Sequence, residues 1–289
     1  RFHSVNYWAD GRGGYVPYLP EQPISILDLQ LQAPQGGQVF DFAQPVFLEV
    51  TLSNRSGRTL DLSPQWLDPK SGLLEILIRR RGENESRSFI PVVERCYDLS
   101  ADTADSVPPG QSISNNLNLT FGAAGFPFAE PGEYQVTALL AFPDRQNQRE
   151  LVVRSNALRI RVAYPKSREE ENDAMILQRE DVGLYFALGG SQALPAARDA
   201  LEEVRARRQG KGERITDPIV ANIVRDEGID TGRPYLRYRD GKFSQQDGDR
   251  ARAAELLENL KGAALKAFDP HTAEQTKKLA QKHRRAAGK

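Results

Sequence analysis

Three histidines, His3, His271 and His283, and one cysteine, Cys96, are the side chains best suited to nucleophilic, acid–base or metal chemistry near neutral pH. Their spacing organises none of it. No His-Glu-x-x-His pair is present for a zinc protease, no Gly-x-Ser-x-Gly elbow for a hydrolase and no phosphate-binding loop. Gly11-Arg12-Gly13-Gly14 lacks a strand before it and a helix after it, and Gly189-Gly190-Ser191 reads as a turn between helices. Glu169, Glu170, Glu171 and Asp173 stand at a helix start, where carboxylates complement the dipole. A lone Cys96 excludes an internal disulfide and reads as a small buried apolar residue near a strand end; His271 and His283 read as solvated helix residues. The expectation is a non-enzyme with no cofactor, no metal and no small-molecule substrate.

Residue types that favour contact with other proteins occur in two places. The first is an aromatic-rich extended arm over residues 1–21, carrying Phe2, Tyr7, Trp8, Tyr15 and Tyr18 among glycine and proline without helical or strand periodicity. The second is residues 229–248, expected to be a loop, where Arg233, Tyr235, Arg237, Tyr238 and Phe243 interleave the two residue types that interfaces concentrate. Lys277, Lys278, Lys282, Arg284, Arg285 and Lys289 oppose a single Glu274 near the end of the chain, and a fraying solvated helix accounts for them. With 39 basic and 39 acidic residues, the chain has no global field to draw nucleic acid or an anionic membrane. No apolar run approaches the ~20 residues of a membrane-spanning helix. The chain begins at Arg1, from which a removed leader or a fragment of a longer product is expected.

The elements behind these residues change character near Pro165. Before it, short runs alternate: Ile24 to Leu31 with a shift at Leu27, Val46 to Leu52, Leu60 and Leu62, Leu73 to Ile78, Phe89 and Ile90, Ile113 to Phe121, Glu133 to Phe142, and Glu150 to Val162. Asp98 to Val107 reads as a loop. After Pro165, apolar residues recur at every third or fourth position. Ser167-Arg168-Glu169-Glu170 opens a helix through Leu177, Pro195 to Arg208 forms another, and Asp217-Pro218 caps a third that ends at Gly228. Ala253 to Phe268 is the clearest amphipathic helix, and Asp269-Pro270 starts the last. The fold class is therefore multidomain, β then α: an antiparallel β-sandwich over 22–165 followed by an all-helical segment over 166–289.

Glu130-Pro131-Gly132-Glu133-Tyr134-Gln135-Val136 resembles the entry to the penultimate strand of immunoglobulin-like domains, where a tyrosine hydroxyl bonds backbone upstream. The resemblance makes Tyr134 and Gly132, with Trp66, fold residues, and places Val136 where antibody domains carry a cysteine. FLEVTLSNRSGRTLDL, LDPKSGLLEILIRR, VPPGQSIS, FAEPGEYQVTALL and VRSNALRIRV are similar to immunoglobulin-like or fibronectin-like sandwich modules of bacterial exported proteins, and DVGLYFALGGSQAL resembles the start of the helical part that comes after them. That resemblance implies a structural or protein-binding module, an accessory subunit of a larger extracytoplasmic assembly in the periplasm or outside the cell. The alternatives are the accessory carboxy-terminal part of a longer secreted hydrolase, or a protease-inhibitor-like sandwich presenting residues 98–109.

Overall fold

Among the described residues, strands predominate up to Val162 and helices after it, in a computed structural model that describes residues 7–9, 15–17, 19–23, 26–93, 105–144, 149–209 and 213–288. The alternation in FLEVTLSN produces β6 (Phe47–Asn54), paired antiparallel with β4 (Leu27–Gln32) on one edge and β11 (Ser112–Asn118) on the other. A seven-stranded sheet is built on β12 (Gly132–Asp144). One edge of β12 pairs β8 (Leu74–Arg80), which continues to β9 (Arg87–Phe89). The other edge takes β13 (Arg149–Arg154) and then β14 (Leu158–Val162).

Between those two pairings, Thr137 and Ala138 stand opposite three residues, Ser155 to Ala157, which makes a β-bulge. The expected single run from Glu150 to Val162 is therefore interrupted, and side chains hold the break. Ser155 Oγ accepts from the Ala138 amide at 2.8 Å, while the Asn156 amide group bonds the Leu31 N–H and carbonyl at 2.7 and 3.1 Å, tying β4 to the larger sheet.

Two strands join the larger sheet in parallel: β3 (Leu19–Pro23) on β13 and β5 (Val39–Phe40) on β14. The sheet is mixed and not antiparallel throughout. Two further pairs, β1 (Tyr7–Ala9) with β2 (Tyr15–Pro17) and β7 (Leu60–Leu62) with β10 (Asp105–Val107), complete the strands of this half among the described residues. Residues 1–21 thus contain strands in what the sequence presents as an extended arm without regular elements, and Asp105 to Val107 pair within a segment that reads as a loop. For β3 and β10, backbone hydrogen bonding to a partner distant in sequence supplies what local alternation lacks.

The two sheets face each other through one apolar layer. Leu48, Val50, Leu52 and Leu117 on the smaller sheet meet Ile76, Val136, Ala138, Leu140 and Ile160 on the larger. Each such large side chain contributes about 1.5–3 kcal/mol by leaving water. The opposite face of β6 is also covered: Phe47, Glu49 and Ser53 are buried there. The helices lie on that side, so the three-stranded sheet is the middle of three layers.

The helical layer comprises α1 (Arg168–Leu177), α2 (Glu180–Leu188), α3 (Pro195–Arg208), α4 (Pro218–Gly232), α5 (Arg250–Glu258) and α6 (Pro270–Ala287). Apolar residues occupy most sides of α4, so it lies between two clusters: Ile219 and Ile223 pack with α2 and α3, and Val220, Ala221 and Val224 with α5 and Phe268. Asp217 caps it, accepting from the Ile219 and Val220 amides at 2.8 and 3.1 Å. Buried Asp173 of α1 binds Arg207 and Arg208 of α3.

Three expectations change here. Gly228 does not end α4; a Cβ there would meet Leu257, so the glycine permits close approach of α5 while the helix runs on to Gly232. Ala253 to Phe268 is not one helix, because Gly262 takes φ 56° and the chain resumes as a 3-10 turn at Ala264–Ala267. Residues 166–289 are not all helical: β15 (Tyr235–Arg239) and β16 (Lys242–Gln246) pair as a hairpin. No helix among the described residues is long and apolar enough to cross a membrane.

Candidate interaction hairpin

The segment expected to be a loop folds around Asp240-Gly241. Both residues have positive φ, 51° and 77°, and Arg239 pairs directly with Lys242, which makes a two-residue turn whose twist suits a hairpin. Alternation then sorts the side chains. Leu236, Tyr238 and Phe243 share one face, and Tyr238 and Phe243 are cross-strand partners with ring centroids 4.9 Å apart. Arg237, Arg239 and Lys242 lie on the other. The three large apolar groups are 69, 63 and 72% exposed, so neither face of the ribbon is covered. A two-stranded ribbon with no covered face is marginally stable alone. The sequence carried the turn in Asp-Gly between alternating aromatic residues, but its richness in Gly, Asp and Arg matched a loop equally well.

Arg233 is not brought to this ribbon. It comes directly after α4 and reaches back to the C-terminal end of α2, donating to the carbonyls of Gly189 at 3.2 Å and Gly190 at 3.3 Å, where helix carbonyls lack partners. Tyr235 begins β15 and is half-buried. Of the arm residues, Tyr7 and Trp8 lie on β1 and Tyr15 on β2, whereas Phe2 and Tyr18 lie outside the described residues, as do His3, Cys96 and Gly11 to Gly14. Trp66 sits in a 3-10 turn against the apolar layer between the sheets. The Tyr134 hydroxyl donates to the Glu130 carbonyl at 2.7 Å, and Gly132 adopts φ 150° beside it.

Several groups with displaced proton affinities lie within the helical layer or where it meets β6. Asp226 on α4 is fully buried, and desolvation pushes its carboxyl up to about 6 although Arg225 donates to it at 2.8 Å. Burial therefore outweighs the ion pair. The Arg225 guanidinium lies 5.3 Å from the Phe47 ring centroid and 5.8 Å from that of Phe268, joining β6 to the helices through two aromatic faces. Burial also raises Glu49, with Asp269 adding repulsion across the same interface, and it raises Asp269 itself. His283 is buried against Gly232 and desolvation lowers its affinity for a proton, so it is packed and not solvated as expected.

A cavity of about 210 Å³ opens beside this pair, lined by Phe47, Asn118, Arg225 and Arg233. Its polar groups are largely committed. Asn118 donates to the Phe186 carbonyl at 2.8 Å, Arg233 to α2 and Arg225 to Asp226. They fasten layers together. Among the described residues, no group of three or more His, Cys, Asp or Glu side chains is placed to hold a metal.

No family model matches the chain, and no curated protein matches it. Among solved structures, 48% of the chain is similar to 16% of a β-glucosidase from Listeria innocua in complex with glucose, at 12% identity and a TM-score of 0.25. A similar share resembles 94% of the CARDB domain of PF1109 from Pyrococcus furiosus, at 13% identity and a TM-score of 0.23. It also resembles 31% of the alkylpurine DNA glycosylase AlkC from Pseudomonas fluorescens bound to DNA containing an abasic site analog, at 11% identity and a TM-score of 0.25. The chain thus spans a small part of the enzymes it resembles, and likenesses this weak carry no argument about its activity.

Proposed function

We propose that this chain is a non-catalytic, protein-binding module that serves as an accessory subunit of a larger extracytoplasmic assembly, with an immunoglobulin-like sandwich and its helical layer as the rigid body and the 235–246 hairpin as the contact. The observation that carries the reading is the ribbon itself. It projects Leu236, Tyr238 and Phe243 into solvent while the rest of the chain has buried cores of its own. Aromatic rings offer large apolar area with few rotatable bonds to freeze on docking, and the basic face beside them adds orientation. The immunoglobulin-like assignment is supported by the two facing sheets and by the Tyr134 bond to Glu130. The extracytoplasmic setting is supported by the likeness of the strand phrases to modules of exported proteins.

The test is size-exclusion chromatography of source-cell extract containing tagged chain. The wild type should elute within a complex, and Tyr238→Ala with Phe243→Ala should release it as a folded monomer. A wild-type chain that elutes alone, or a double variant that stays in the complex, contradicts the reading.

A further inference from the structure

We propose that the outward face of the seven-stranded sheet around Arg159 and Arg161 docks an extended acidic segment of a partner protein. Strand register builds the surface. Gln135 on β12 stands between Arg79 on β8 and Arg159 on β14, and Glu133 pairs with Arg161 while receiving Arg81. Two rows of guanidinium groups therefore flank a central strand, over an open groove of about 660 Å³.

The lining holds five arginines against two glutamates, in a chain whose overall charge is zero, so the positive excess is local. Arg79 gives one N–H to Gln135 at 2.8 Å and Arg81 one to Glu133 at 2.7 Å. Arg80 is turned to Glu130 and to the Pro131 carbonyl. Arg159 and Arg161 are exposed and make no side-chain hydrogen bond or ion pair with any other described residue. Their forks are the unspent donors.

The chemistry of the occupant is set by geometry. Alternate residues on one strand face project side chains about 6.6–6.8 Å apart, the repeat at which an extended peptide presents every second carboxylate. A carboxylate matches the arginine fork with two parallel hydrogen bonds. Single-stranded nucleic acid shares the charge but draws affinity from rings that stack its bases, and this face offers none: Tyr134 points into the core with its hydroxyl occupied. Exposed Val39, paired beside Arg161, gives the groove an apolar rim.

This inference extends the protein-binding reading to a second surface, and its test separates the two. A fluorescein-labelled peptide of alternating aspartate and serine is titrated with the full chain and followed by anisotropy. Binding should weaken by about tenfold or more in Arg159→Glu with Arg161→Glu, and should fall away as salt rises from about 0.05 to about 0.5 M. Arg159→Gln with Arg161→Gln, which breaks no internal contact, should show an intermediate loss with unchanged circular dichroism. Tyr238→Ala with Phe243→Ala should leave the peptide affinity intact, so failure of the hairpin leaves this surface standing. Equal binding of an uncharged control peptide of alternating asparagine and serine, unchanged binding by both arginine variants, or tighter binding of a single-stranded oligonucleotide overturns the proposal.

Discussion

Phe268→Ala should weaken both halves of the chain at once. Phe268 is fully buried, its ring meets Phe47 of β6 edge-on with centroids 6.4 Å apart, and Arg225 lies 5.8 Å from its centroid. Truncating a buried phenylalanine costs about 3–5 kcal/mol through lost transfer energy and the cavity left behind. That is a large part of the ~5–15 kcal/mol by which a folded domain exceeds its unfolded chain. The aromatic pair itself should appear as about 0.5–1.5 kcal/mol of coupling in a cycle with Phe47→Ala. Urea unfolding is followed in a Trp8→Phe background by Trp66 fluorescence, which reports the sheets, and by far-UV circular dichroism, which reports mainly the helices. Both curves should shift together to lower urea. If the dichroism transition moves while Trp66 holds its midpoint, the layers unfold independently and the three-layer account fails.

Gly183→Ala should destabilise by about 1–3 kcal/mol, because a Cβ there would stand 2.6 Å from Phe126 Cζ and press into Phe121 between α2 and the sheet; unchanged unfolding would refute the packing. Asp226 gives stability a pH dependence of known sign. Its raised folded affinity favours the protonated carboxyl, so the contribution is complete below the ordinary 3.8 and is lost as pH rises through about 6. Asp226→Asn should flatten that part of a stability–pH series, and an unaltered slope would remove the assignment. Gly241→Val forces a branched residue to φ 77°; amide exchange at Arg239 and Lys242, the hydrogen-bonded pair that flanks the turn, should accelerate while global stability barely changes. Continued protection of those amides would show that the turn does not hold the ribbon.

The sheet-built half was legible because Leu48, Val50 and Leu52 alternate with Glu49, Thr51 and Ser53, and β8 and β12 do likewise. The same alternation is silent about surroundings. Glu49 and Ser53 are polar and alternate with the apolar face, yet both are buried, and nothing local announces a third layer. Parallel additions such as β3 on β13 join residues more than a hundred positions apart, beyond the reach of any window. Glycine was ambiguous in kind: Gly228 marks close helix packing, Gly262 a true break, and Gly241 a turn, three roles with one letter. The site was half legible. Tyr238 and Phe243 stood out by type, but their pairing on one face required the register that the Asp240-Gly241 turn imposes, and Arg233 was separated from them only by its reach back to α2.

Photo-crosslinking from the hairpin tests the central claim most directly. A benzoyl-phenylalanine placed at Phe243, at Tyr164 or at Met175 occupies positions of nearly equal exposure, 72, 69 and 67%, so exposure alone gives no site an advantage. The account predicts one discrete protein adduct from position 243, lost when Tyr238 is changed to Ala, and none from 164 or 175. Equal adducts from all three positions, or none from 243, would contradict it.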